Sequence, residues 1–408
     1  MRLKPFRAIR PVPALAAAIA SPPYDVVSRA EAAALARGNP MSFLHVCRSE
    51  IDLPDGVDAY DPRVYARARE NLDALLAQGA LVRDPRPALF LYRQIMEGRA
   101  QVGVVGCAHL GDYEADVIRK HEKTRPDKED DRTRHVLTTG AQAEPVLLTY
   151  RGRPEIDRLV AAATTAPPLY DFVTPDRVAH TVWRIDDPAP YLDGFDRVTA
   201  AYVADGHHRS ASAWRAARQR RSENARPPGD EEHEWLLAVL FPAAQLRILA
   251  YNRVITDLGG RTPDELLADL GGIGRLAVTD DPVPPGPGRF CFYLGKRWRR
   301  LELAESSIDR SDPVRALDVS LLQERVLGPL LGITDQRTDK RIDFVGGVRG
   351  ARALEARVDA GLAALAISLY PATVDQLMAV SDAGHVMPPK STWFEPKLLS
   401  GLFVHPLD

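Results

Sequence analysis

No apolar run in this chain approaches the ~20 residues a membrane-spanning helix needs, so a helical membrane protein is not expected. Cysteine is scarce: Cys47, Cys107 and Cys291 stand far apart among apolar neighbours in 408 residues. So sparse and odd a count argues against a disulfide framework or a cysteine zinc site and fits buried thiols in a reducing cytoplasm. Neither sign of charge dominates, since 53 basic residues face 55 acidic ones. There is thus no basic field for nucleic acid and no acidic tail. Also missing are the phosphate loop GxxxxGKS/T, the dinucleotide fingerprint GxGxxG and the nucleophile elbow GxSxG. Their absence removes the commonest nucleotide and hydrolase readings but leaves phosphate chemistry on another scaffold open. The start, MRLKPFRAIR followed by ALAAAIA, superficially matches a signal peptide. Its apolar part is short, alanine-rich and preceded by two prolines, so a cytoplasmic location is expected.

What is present is an irregular alternation of short elements, punctuated by 33 prolines and 28 glycines. YDPRVYARARENLDALLAQGAL has helical spacing with Gly79 as its stop. PALFLYRQI and VGVVGCAHL read as a hairpin across EGRAQ, and GRFCFYLGKRWRRLELAE as another turning at Gly295. WLLAVLFP and LRILAYNRVI read as a further strand pair, and RRSENARPPGDEEHE as a surface loop. Thr262, Pro263 and Glu265 have the spacing of a capped helix start. ALDVSLLQERVLGPLLGI, RGARALEARVDAGLAAL and TVDQLMAVSDAG read as helices, the last ending at Gly384. The expected class is mixed α/β, with an α+β-like arrangement of several mixed sheets. The expected regions are 1–150, 151–260 and 261–408.

The stretch YVADGHHRSASAWRAARQR is the most informative. A strand runs into Asp205 and Gly206, and a helix starts near His207. Backbone N–H groups at such a start, with the helix dipole, form an anion site. Gly206 permits close approach of a ligand, and Arg209 carries planar donors matched to phosphate oxygens. Asp205 repels a bare phosphate, so a magnesium ion, a hydroxyl proton or a helix amide are its natural partners. The bland alternative is that Asp205 caps the helix and both histidines pack. Consecutive positions on a helix diverge by about 100°, so His207 and His208 do not readily share one metal ion.

Three further clusters stand out. Arg119 to Leu137 is densely charged: His121, Glu122 and Thr124 precede a break at Pro126, and Asp130, Asp131, Arg132 and His135 follow. Such a run is usually a solvated face. HVMPPKSTWFEPKLL offers Lys390, Ser391 and Thr392, suited to phosphate or to an ordinary turn. SPPYDVVS sets Tyr24 and Asp25 after two prolines.

PPYDVVS, HEKT with DKEDDR, DGHHR and PPKSTWFEPK, in that order, resemble the bacterial and archaeal family called domain of unknown function 1015. The strand–DGHHR–helix unit alone is similar to the phosphate-binding box of the ParB and sulfiredoxin superfamily, whose free-serine kinases carry a similar run. That resemblance implies that Gly206, His207, His208 and Arg209 bind phosphates, and that Asp205 sits at the reacting hydroxyl or a magnesium ion; Ser210, next in the chain, is a further phosphate candidate. It also implies a glutamate base, for which Glu122 is the candidate. The expected activity is phosphoryl transfer to or from a small hydroxylated metabolite, serine or phosphoserine first, with Mg²⁺ and ATP or ADP. Arg209 and Lys390 would stabilise transferred charge. His208 would be the nucleophile in a phosphatase. Tyr24, Asp25, His121, Thr124 and Arg132 are candidate substrate contacts, alongside Ser391 and Thr392 for phosphate. A nucleotide-binding sensor and a histidine-based metallohydrolase are the competing classes. Nucleic acid and membrane partners are not expected.

Overall fold

The computed structural model describes residues 1–223 and 230–408. Part of the loop read at RRSENARPPGDEEHE therefore lies outside the described residues. The chain divides into two compact units, Met1–Leu246 with Pro396–Asp408, and Arg247–Glu395.

The first unit is built on a nine-stranded mixed sheet among the described residues. Its strands are β1 (Leu3–Lys4), β2 (Leu89–Met96), β3 (Arg99–His109), β4 (Ile118–Arg119), β5 (Val146–Tyr150), β6 (Tyr170–Val173), β7 (Ala179–Ile185), β8 (Ala201–Asp205) and β9 (Trp235–Pro242). They lie in the order β4-β8-β5-β9-β3-β2-β7-β6, with β1 on β3. β2 and β3 form the expected hairpin, antiparallel from Phe90↔Val105 to Met96↔Arg99. β5 and β9 are parallel, and so are β4 and β8 at the sheet edge. β5, β8 and β9 are buried along almost their whole length, as strands covered on both faces must be. Leu89, Leu91, Val104, Leu148, Val203 and Leu240 belong to the main core. Its longest helices are α1 (Pro62–Ala77), α2 (Pro126–Thr139), α3 (Pro154–Ala163) and α4 (His207–Glu223). Pro126, read from the sequence as a break, is the first residue of α2, a position where its missing N–H costs nothing.

The second unit holds a six-stranded antiparallel sheet among the described residues. Its strands are β10 (Tyr251–Ile255), β11 (Arg275–Val278), β12 (Arg289–Leu294), β13 (Arg297–Glu302), β14 (Ile342–Gly346) and β15 (Leu365–Leu369), ordered β11-β13-β12-β15-β10-β14. β12 and β13 make the hairpin expected at Gly295. Three helices are α5 (Pro263–Ile273), α6 (Gly350–Asp359) and α7 (Val374–Asp382). Val254, Cys291, Trp298, Val345 and Leu354 form its core.

The protein is mixed α/β with several sheets, as expected. Three local expectations are corrected. The boundary placed at residue 150 cuts through the large sheet, because β5 ends there and pairs with β8 and β9. WLLAVLFP and LRILAYNRVI are not a pair: β9 joins the first sheet and β10 the second. The helix read across ALDVSLLQERVLGPLLGI is α-helical only over Asp318–Leu322 and continues as a π turn over Gln323–Leu327. Pro329 there has no amide to donate to an α-helical ladder. No helix among the described residues is long and apolar enough to cross a membrane.

Candidate functional site

β4 and β8 run parallel, with Ile118 opposite Ala201 and Arg119 opposite Tyr202. Their C-terminal ends therefore release the HEKT and DGHHR segments on the same side of the sheet. A bulge between Val203 and Asp205 breaks the β8–β5 register just before the turn, a device that re-aims a side chain beside a site. Gly206 then takes φ 95°, a backbone conformation that L side chains rarely adopt. Its carbonyl accepts from Ser210 N at 2.9 Å and starts α4.

Asp205 does not cap the helix. Its Oδ1 accepts from Lys397 Nζ at 2.9 Å, and its Oδ2 from Arg209 Nη2 at 2.6 Å. Burial pushes the carboxyl up, but Lys397 and Arg209 more than reverse this and hold it well below the usual carboxylate range. Such a carboxylate is a poor proton acceptor, and two cations already occupy the oxygens a magnesium ion would need. The base and magnesium roles expected of Asp205 therefore do not suit its setting. Its contacts make it the anchor of two cations.

Arg209 is buried, and its Nη1 donates to the Pro145 carbonyl at 2.5 Å. Its Nη2 also lies 3.6 Å from Asp25, whose side chain is partly exposed. Burial opposes its charge, yet Asp25, Asp205 and Glu144 hold it firmly positive. Gly206 carries no side chain to cap α4. Among the described residues, the N–H groups of His207, His208 and Arg209 meet no hydrogen-bond acceptor. The hydroxyl of Ser210 is fully buried and turns back to the Gly206 carbonyl at 3.1 Å, so it is not offered to a phosphate as expected.

The histidines differ from one another. His208 is half-buried and its Nε2 accepts from Arg125 N at 3.1 Å. Burial lowers its pKa, which leaves it neutral near pH 7. His207 points instead at His121, with ring centroids 4.4 Å apart and planes at 87°. Its Nδ1 is 3.9 Å from Glu122 Oε2. Burial, then His121, pushes His207 well below its ordinary value, and burial takes His121 to about 4.

The remaining expected contacts are mostly structural. Thr124 donates to Glu129. Arg132 is buried, pairs with Asp131 at 2.9 Å and lies 4.3 Å from the Tyr24 ring centre. The Tyr24 amide donates to Glu144 at 2.9 Å, and burial raises both the Tyr24 hydroxyl and the Glu144 carboxyl. A cavity of about 30 Å³ beside them is lined by Arg132, Glu144, Arg209 and Ser212 among others. That is room for a water, not a metabolite.

Lys390, Ser391 and Thr392 belong to the second unit. Ser391 donates to the Pro388 carbonyl at 2.5 Å, and Lys390 Nζ lies 5.4 Å from the Tyr251 ring centre. These contacts are those of a polar turn. The cation that this stretch brings to Asp205 is Lys397, which sequence reasoning passed over. Glu144 was missed as well; a single acid in a loop between strands gives no signal.

Among solved structures the chain is similar to SbnI with C-terminal truncation from Staphylococcus aureus, at 12% identity and TM-score 0.38, over 72% of this chain and 85% of that one. It is similar to a mutant free serine kinase in complex with ADP, at 13% identity and TM-score 0.35, over 73% and 92%. A conserved hypothetical protein from Pyrococcus furiosus matches at 13% identity and TM-score 0.33, over 73% and 95%. No curated protein matches the sequence. Residues 3–320, which hold the PPYDVVS, HEKT and DGHHR motifs, match the family described as Protein of unknown function (DUF1015), and the chain belongs to that family.

Proposed function

We propose that the protein transfers a phosphoryl group to or from a small hydroxylated metabolite, with a nucleotide as the phosphate-carrying partner. One observation carries this reading: a 17-residue helix starts at a glycine, without a side-chain cap, beside two cations that Asp205 holds in place. The open amides and the dipole supply positive potential at a fixed point. Arg209 and Lys397 add charge close by, and such preorganised charge is what phosphoryl transfer requires. Asp205 acts as a positioning residue. The proton on the attacking oxygen is handled on the partly exposed side, by Glu122 or by neutral His208. Serine or phosphoserine is the first substrate to test, on the resemblance of DGHHR to the free-serine kinases.

The test combines calorimetry with ATP and ADP and ³¹P NMR of turnover on serine, phosphoserine and related hydroxylated metabolites. Wild type is expected to bind a nucleotide and to move phosphate on one of them. Asp205→Asn is expected to lower turnover by roughly 10²–10³-fold, and His208→Ala to lower it too. Turnover that survives both changes sinks the assignment. Tight nucleotide binding without turnover across the panel identifies a sensor instead.

A further inference from the structure

We infer that His121, Glu122 and His207 form a binding site for a divalent transition metal ion of the Zn²⁺ type. The three side chains each bring one ligand atom into a group spanning no more than 4.8 Å. The parallel pair β4 and β8 produces this meeting, since it delivers two segments distant in sequence to one end of the sheet. His207 is 6% exposed, and its fully enclosed Nε2 has no hydrogen-bond partner among the described residues. Buried polar atoms are nearly always satisfied, so a buried imidazole set edge-on to a second one asks for an explanation. A shared metal ion provides it. His121 is tied through its ring to the Val203 backbone, the kind of outer contact that orients metal-bound histidines.

The ligand types select the ion. Two imidazoles with one carboxylate suit Zn²⁺ and its first-row neighbours, whereas Mg²⁺ prefers oxygen ligands throughout. Ligand atoms of a tetrahedral zinc site, each roughly 2.0–2.2 Å from the ion, stand roughly 3.3 Å apart. The ligand atoms of His121, Glu122 and His207 lie within 4.8 Å of one another, so the widest pair needs closure by up to roughly 1.5 Å around such an ion. Glu122, whose side chain is 45% exposed, is the least buried of the three ligands. Three protein ligands leave a fourth position for water or a substrate oxygen, as in catalytic rather than structural zinc sites. An oxygen bound there loses its proton more readily, and with Glu122 committed to the ion the base role falls to His208. This last role rests on the phosphoryl-transfer reading; metal binding itself does not.

The full-length protein, stripped with a chelator, is titrated with Co²⁺ and followed by its visible d–d absorption. Zn²⁺ affinity is then measured by competition with a chromophoric chelator. One equivalent of Co²⁺ is expected to give ligand-field bands that Zn²⁺ abolishes and Mg²⁺ does not. Glu122→Gln, at an exposed position that leaves the core untouched, should weaken Zn²⁺ by at least roughly 10-fold. His121→Ala and His207→Ala should abolish the bands, and His208→Ala should keep them. Absence of saturable one-equivalent binding overturns the site, as does a Zn²⁺ affinity unchanged by Glu122→Gln. Metal bound in one equivalent with no phosphate turnover overturns the functional reading and leaves the site standing.

Discussion

Helices α4 and α5 begin in opposite ways. At α5 the Thr262 hydroxyl accepts from Glu265 N at 3.3 Å, and the Glu265 carboxylate accepts from Thr262 N at 2.8 Å. Pro263 fills the first helical position and has no N–H to satisfy. That start is closed by its own chain. At α4 a glycine precedes the helix, and the one acid beside it, Asp205, turns away to bind Lys397 and Arg209. A side-chain cap is worth about 1 kcal/mol relative to alanine and only a few tenths relative to glycine. The contrast separates a helix start closed by its own side chains from one left open, which is what the proposed phosphate site requires. At the open start, ion pairs of Asp205 with Lys397 and Arg209 stand beside the local hydrogen bonds from Ser210 to the Gly206 carbonyl.

The ion pairs give the largest expected effect. Arg209→Met removes the partner of Asp205 Oδ2 and of the Pro145 carbonyl in a buried setting. Breaking a fully buried pair from one side costs about 3–5 kcal/mol; the Asp205 side chain is 26% exposed and keeps Lys397, so urea unfolding of the variant should show a loss toward the lower end of that range. A loss no larger than that of a missing helix cap would break the comparison, because the turn would then hold without its charges. Gly206→Ala comes next. An added Cβ would lie 3.1 Å from Arg209 Cζ at φ 95°, and strain of this kind costs about 1–3 kcal/mol. It should also weaken ADP binding, measured by calorimetry, because the guanidinium must shift. Unchanged stability and unchanged binding would mean that the glycine is incidental.

Much of this was legible from local patterns. The hairpin of β2 and β3, the turn at Gly295 and the Thr262 cap each follow from residues within a few positions of one another. So does the strand–DGHHR–helix unit, with its start at His207. What was not legible depends on how the sheet is threaded. Lys397 reaches Asp205 across 192 residues, and no local signal marks a lysine that will end beside a given aspartate. The meeting of His121 with His207 depends on β4 pairing with β8 while β5 takes the other side. That order also defeats a division at residue 150. Ser210 was misread because a serine in a first turn can face a ligand or its own helix, and here it donates to the carbonyl four residues back.

Thr262→Ala is the smallest expected effect and the sharpest control. It deletes the hydroxyl that accepts from Glu265 N and leaves the reciprocal Glu265 contact to the Thr262 amide, which needs only the backbone. The expected loss is about 1 kcal/mol, recovered by Thr262→Ser because serine caps as well as threonine. ADP affinity should not move in either variant. A stability cost without a binding change is the signature of a structural cap, and Gly206→Ala should show both together. If Thr262→Ala weakens ADP binding as much as Gly206→Ala does, the two helix starts do not differ in purpose, and the open amides of α4 lose their standing as the phosphate site.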